Sequence, residues 1–309
     1  MYFPYLYGRT AELLAITESA HDFGSPQQIF PLIEAVRPSA ALRRCLDAVE
    51  KAGKEIYVIV NPSRGKLQAP SAQTLWQTEM TAHLAKSSVV RPTFRQEDST
   101  PLTALQAFVK QYSGRAIGVV LTSNAIAPAD VAAALSNANA VVFLMTSVNR
   151  TAYSTAVGSA ATIDVEDNFQ TEARNADYVG TKGQGTNHLT WTGRAGFSDF
   201  TVLPAVFKDG GGPTGAVAVH LTYEEPAELR VQHFVSTITS SGGAPSPKFA
   251  QALNQLVAQF AATPSRFRKS PALDDYLHQA KVGQYTSPER NKRLQIIHHL
   301  FTVARHLGL

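Results

Sequence analysis

Cysteine is almost missing from these 309 residues: Cys45 stands alone, so the chain can form no internal disulfide and no cysteine-rich zinc site. Cys45 shares an apolar helical face with Leu42, Leu46 and Val49, where a thiol reads as buried and inert. Long apolar runs are missing too. None reaches eighteen residues, and Met1-Tyr2-Phe3-Pro4-Tyr5 lacks the basic-then-apolar order of a signal peptide. These absences predict a soluble, cytoplasmic chain with no membrane partner. Charged residues make up only 17% of the sequence, and a net charge of +4 is too small to fix a partner class by itself. What is present is an ordinary apolar share, 44%, in a chain long enough for one large core and for one or two domains.

Short apolar, β-branched runs recur along the first half, each followed by a helical pattern. Ile29-Phe30-Pro31-Leu32-Ile33, Ile56-Tyr57-Val58-Ile59-Val60, Ile117-Gly118-Val119-Val120-Leu121 and Val141-Val142-Phe143-Leu144-Met145 carry no polar face, as parallel strands covered on both sides do not. Helical segments between them are punctuated by Ser39 and Gly53, or by Thr100-Pro101 and Gly114. Strands are predicted at 2–6, 29–35, 56–61, 89–95, 116–123, 140–147, 161–166 and 199–206. Eight strands with crossover helices match a TIM-barrel-like (β/α)8 fold of the α/β class, with an open doubly wound sheet as the other solution. Pro4, Pro31 and Pro92 are awkward at central strand positions.

Two later runs, 215–223 and 229–236, are joined too tightly for a helical crossover and predict an antiparallel hairpin. Gly210-Gly211-Gly212-Pro213 before them reads as a loop. Beyond Gly242 the pattern is helical, with starts at Ser246-Pro247, Ser270-Pro271 and Ser287-Pro288. The expected organisation is a barrel with its terminal hairpin over 1–240 and a basic helical extension over 241–309.

In such a barrel, side chains at the carboxyl ends of the strands converge on one mouth. Those ends are polar here: Glu34 and Arg37, Asn61 and Arg64, Ser123 and Asn124, Asp164, Glu166 and Asp167, then Asn175, Asp177 and Asp199, with His220 and His233 on the hairpin. Carboxylates, arginines and histidines together could hold a divalent metal or an anion and move protons. They could equally be salt bridges between loops. Asn61-Pro62-Ser63-Arg64-Gly65-Lys66 resembles a phosphate loop but lacks its glycine spacing and its Lys-Ser/Thr ending, so it reads as a turn. The span from Thr181 to Gly196, around Trp191, reads as a loop suited to covering the mouth or as a surface excursion. His298 and His299 are adjacent and so point to different helix faces, which argues against a metal site. The tail gathers Arg266, Arg268, Lys269, Lys281, Arg290, Lys292, Arg293 and Arg305 against few acids, and could meet nucleic acid or simply face water.

A set of segments points to a family. Tyr2 to Arg9, Glu12-Leu13-Leu14-Ala15, Pro31-Leu32-Ile33-Glu34, Val60-Asn61-Pro62 and Asp167-Asn168-Phe169 form its first part. Arg174 to Tyr178, Phe197 to Phe200, Ala218 to Tyr223 and His233-Phe234 extend it to about residue 240. Taken together the chain resembles the bacterial "sce seven-seven-two-five" family, related to the phage-associated beta protein family. Tyr7 departs from that pattern, which has a basic residue there. The resemblance implies a barrel-like fold and a nuclease-like protein encoded nearby, the setting of anti-phage defence.

Two functions follow. One is a ligand- or partner-recognising component of such a defence system, its basic helices docking the partner or nucleic acid. The other is a barrel hydrolase of phosphodiesters or nucleotides, with Glu34, Asp164 and Asp199 on a metal or as base, Arg37 or Arg64 orienting phosphate, and His220 or His233 protonating the leaving oxygen.

Overall fold

Runs such as Ile56-Tyr57-Val58-Ile59 offer water no polar side chain on either face, so they are stable only as strands covered on both sides, and all four residues are buried. The structure, a computed structural model, describes residues 1–186, 193–209, 215–226, 228–240, 244–284 and 287–308. Strand and helix alternate through β1 (Tyr5–Leu6), α1 (Thr10–Ser19), β2 (Leu32–Ile33), α2 (Ala40–Lys51), β3 (Ile56–Ile59), α3 (Pro70–Leu84) and β4 (Val90–Gln96). The alternation continues with α4 (Leu102–Gln111), β5 (Ala116–Leu121), α5 (Pro128–Leu135), β6 (Asn139–Leu144), α6 (Arg150–Val157) and β7 (Thr162–Glu166). Next come β8 (Thr181–Gly183), β9 (Gly196–Asp199), β10 (Ala218–Glu225), β11 (Glu228–Val235), α7 (Pro245–Ala262), α8 (Pro271–Val282) and α9 (Pro288–His306).

Strands β1 to β7 and β9 form one parallel eight-stranded sheet in that order. It curls until its last strand meets its first. Tyr2 bridges Phe197 in parallel, Phe3 N–H donates to Phe197 O at 2.8 Å, and Phe197 N–H donates to Met1 O at 2.9 Å. The result is a nearly closed TIM-barrel-like α/β fold. The prolines are tolerated because only their missing N–H is lost to the ladder. Pro4 O accepts from Leu32 N–H at 2.9 Å and Pro31 O from Tyr57 N–H at 2.8 Å. They nonetheless shorten β1 and β2 to two residues each.

The eighth strand is not at 199–206 but at Gly196–Asp199. Gly196 explains the shift: a Cβ there would lie 2.4 Å from Met1 O and 2.7 Å from Phe3 Cε2, so only glycine lets the closing strands approach. Helix starts also differ in detail. Ser39, Ser270 and Ser287 cap α2, α8 and α9, each hydroxyl accepting at 3.1 Å from the third residue on. Pro101 rather than Thr100 is the cap of α4, since Thr100 Oγ1 instead accepts from Glu97 N–H at 2.9 Å. The α7 helix begins at Pro245 with Ala244 as its cap, two residues before the expected Ser246 cap and Pro247 start, because Pro245 already has the backbone angle of a first helical position.

Side chains alternate across each strand, so the ladder register decides which face the wall of the barrel presents. Phe3, Tyr57 and Phe143 meet edge to face inside, with ring centroids 5.5–5.9 Å apart. The register Tyr57↔Arg91, Thr93↔Gly118, Phe143↔Ile163 and Val165↔Ser198 carries this inward face around the barrel. Gly118 is required by that filling. A Cβ there would come within 2.6 Å of Thr93 Oγ1 and 2.9 Å of Tyr57 Cδ1.

The chain divides into two compact units. The first, Met1–Asp167 with Asn187–Phe200, is the barrel. The second, Asn168–Thr186 with Thr201–Leu309, contains the three-stranded antiparallel sheet β10-β11-β8 and helices α7 to α9. The predicted hairpin is therefore present, and the expected boundary at residue 240 falls inside the second unit. Trp191 and the Gly210–Pro213 stretch lie outside the described residues.

Candidate functional site

At the carboxyl end of the barrel, Glu34 sits fully buried at the end of β2. Its Oε2 accepts from the Tyr5 hydroxyl at 2.6 Å and from Arg64 Nε at 3.3 Å. Its Oε1 lies 3.2 Å from Arg64 Nε and 3.5 Å from Arg95 Nε. Arg95 Nη1 in turn donates to Ser63 Oγ at 3.2 Å and pairs with Glu97. Tyr5 and Tyr7, two apart on β1 and its continuation, pack with Phe200, and the Arg64 guanidinium stands 5.6 Å from the Tyr7 ring centroid. Burial, and then the Glu34 charge, push the Tyr5 hydroxyl well above its ordinary range, so it stays a donor. Burial disfavours the Arg95 charge, but Glu34, Tyr5 and Glu97 outweigh it and hold the guanidinium protonated. This arrangement spends the Glu34 charge on two cations and a phenol. It is a buried ion cluster, and Tyr5, Tyr7 and Arg95, which complete it, were not among the candidate catalytic and ligand-binding residues.

The other carboxylates face the opposite way. Asp164 pairs in register with Leu144 and Phe197, one residue out of phase with the inward Phe143 and Ile163. It meets Arg194 at 3.2 Å and Arg150 at 3.9 Å, while Glu166 meets Arg150 at 2.7 Å. Asp199 is paired with Glu166 in the ladder and accepts from the Tyr2 hydroxyl at 2.7 Å. Asp164 and Asp199 thus lie on the outer side of the wall that holds Glu34 within. The barrel does not bring the three carboxylates to one point, because a one-residue phase change turns a side chain through the sheet. Among the described residues no three His, Cys, Asp or Glu side chains are grouped to hold a metal ion.

The remaining candidates are spread out. Arg37 is exposed and donates to Thr10 Oγ1 at 2.9 Å. Asn61 uses both ends of its amide on the Arg95 backbone, at 2.7 and 2.8 Å, extending the β3-β4 ladder. Asn124 accepts from Asn149 N–H at 2.8 Å and ties two loops together. Asp177 forms a two-pronged pair with Arg174 at 2.6 and 3.0 Å, and Asn175 Nδ2 donates to Ala216 O at 3.0 Å. Several tail cations are engaged: Arg268 with Glu224, Arg290 with Asp275, and Arg266 4.5 Å over the Tyr223 ring.

His220 and His233 belong to the second unit, directly opposite each other in the β10-β11 register. Their Nδ1 atoms are 2.8 Å apart, so one donates and the other accepts. Burial first, and for His220 also the nearby His233 and Lys292, lowers both below the usual imidazole value, His233 to about 4. The pair is neutral at pH 7. Tyr178 and Phe169 close around it, with Tyr178 4.6 Å from His220 and 4.9 Å from His233. His220 and the two aromatic residues line a cavity of about 530 Å³ in the second unit. His298 and His299 are fully buried as hydrogen-bonding core residues: His298 joins Ser270 Oγ to Thr222 O, and His299 Nδ1 is 2.8 Å from Thr222 Oγ1.

The chain matches no protein-family model, no curated protein and no solved structure. No described helix is long and apolar enough to cross a membrane.

Proposed function

We propose that this chain is a ligand- or partner-recognising component of a bacterial anti-phage defence system, acting with a nuclease-like protein encoded beside it. The defence setting rests on the resemblance to the "sce seven-seven-two-five" family. The observation that favours recognition over hydrolysis is the separation of the carboxylates: Glu34 is held among Tyr5, Arg64 and Arg95 inside the wall, and Asp164 and Asp199 face out of it. A general base needs a lone pair within hydrogen-bond reach of the reacting proton, and none of the three shares such a point with another. The barrel serves in this reading as a rigid scaffold, and recognition falls to the second unit and its basic helices.

Co-expression with the neighbouring nuclease-like protein tests the reading. The two are expected to co-elute in gel filtration and to restrict phage plating only together. Separate elution, with plating unaffected by removal of this chain, overturns it.

A further inference from the structure

The second unit holds a cavity that the recognition reading leaves without an assigned occupant. Its volume, about 530 Å³, is within the range of roughly 300–1,000 Å³ typical of small-molecule sites. One wall is aromatic: Phe169 and Tyr178 each stand edge to face with His220, at 5.3 and 4.6 Å between centroids, and are tilted to one another at 5.9 Å. Another is amide and cation, from Asn291, Lys292 and Gln295 on α9, with Lys208 also lining the space. The amides are held in place rather than loose. Asn291 accepts from the Tyr276 hydroxyl at 2.6 Å and donates to Ala218 O at 3.0 Å, and Gln295 donates to the same carbonyl at 3.2 Å.

The histidine pair fixes what His220 offers this space. His233 Nε2 is buried and has no hydrogen-bond partner. A buried lone pair without a partner is tolerated better than a buried N–H without one. His233 therefore carries its proton on Nδ1 and donates it to His220 Nδ1, which leaves His220, a residue lining the cavity, with its own proton on Nε2. Among the described residues that line the cavity are Lys208, Lys292 and the carboxylate Glu172, which meets Lys182 at 3.3 Å.

We propose, building on the recognition reading, that this cavity binds a free small molecule joining a flat ring to an anionic group, the chemistry of a nucleoside monophosphate. The ring packs on Phe169 and Tyr178, and the phosphate is read by Lys292, Lys208 and the His220 Nε2–H. Aromatic faces accept any base, so the anionic end and the depth of the cavity govern selection.

Calorimetric titration of the full chain with the four nucleoside monophosphates, the matching nucleosides, inorganic phosphate and a short oligonucleotide tests this. At least one monophosphate is expected to bind about tenfold or more tightly than its nucleoside or phosphate alone, and more tightly than the oligonucleotide. Lys292→Gln is expected to weaken it about tenfold, the loss of one charge-assisted contact, and Tyr178→Leu to weaken nucleoside and monophosphate alike. No binding by any monophosphate, unchanged binding by K292Q, or a preference for the oligonucleotide overturns the inference. Co-elution with the nuclease-like partner by a chain that binds no monophosphate would remove this inference alone. Binding without co-elution would remove the defence reading and leave the site.

Discussion

The Tyr5 hydroxyl donates to Glu34 Oε2 across 2.6 Å, and both residues are at most 2% exposed. Two guanidinium groups share the same carboxylate. Breaking such a cluster from one side leaves the rest charged and dry. Tyr5→Phe is expected to cost about 1–3 kcal/mol, one buried hydrogen bond to a charged acceptor. Glu34→Leu is expected to cost more, about 3–5 kcal/mol, because Arg64 and the buried Arg95 lose the carboxylate they share and Arg95 keeps only Glu97. Urea unfolding measures both, and an E34L chain as stable as the parent would show that the cluster contributes nothing to the barrel.

Acid should loosen the second unit through its neutral histidines. Burial lowers His233 and His298 to about 4, against about 6.5 in an unfolded chain. Between those values the unfolded chain binds more protons, so stability rises with pH. It is fully present above about pH 6.5 and is lost as pH falls toward 4. Carboxylates act in the same direction, so the decisive comparison is with His298→Asn. That variant is expected to be less stable at pH 7.5 yet to lose less on going to pH 4.5, as read from urea midpoints. Parallel curves for the two chains would contradict a neutral His298.

Gly118 is a packing requirement rather than a turn. Gly118→Ala is expected to lower stability by about 1–3 kcal/mol through overpacking against Thr93 and Tyr57. Adding Thr93→Ala removes the two closest atoms and should restore part of the loss in thermal melts. A single G118A chain that melts with the parent would mean that the interior yields there.

Local pattern alone determined a good deal of this protein. Unbroken apolar runs joined by capped helices specify strands covered on both faces, in a barrel or an open doubly wound sheet, and the meeting of Tyr2 and Phe3 with Phe197 decides for the barrel. The tight link after β10 specifies a hairpin, and Ser270-Pro271 and Ser287-Pro288 specify two helix starts, because caps and turns act over a few residues. The apolar setting of Cys45 specified its inertness, and burial indeed pushes its thiol up to about 12. The face that each strand-end residue presents was decided only by tertiary structure. Glu34 and Asp164 look alike in sequence, polar residues at the ends of apolar runs, yet one points inward and the other outward. Closure through Gly196 and Phe197 sets the ladder register, and a shift of one residue in a period of two reverses the side. The meeting of His220 with His233, and of Phe169 and Tyr178 with both, depends likewise on the β10-β11 pairing and on long-range packing that no local window contains.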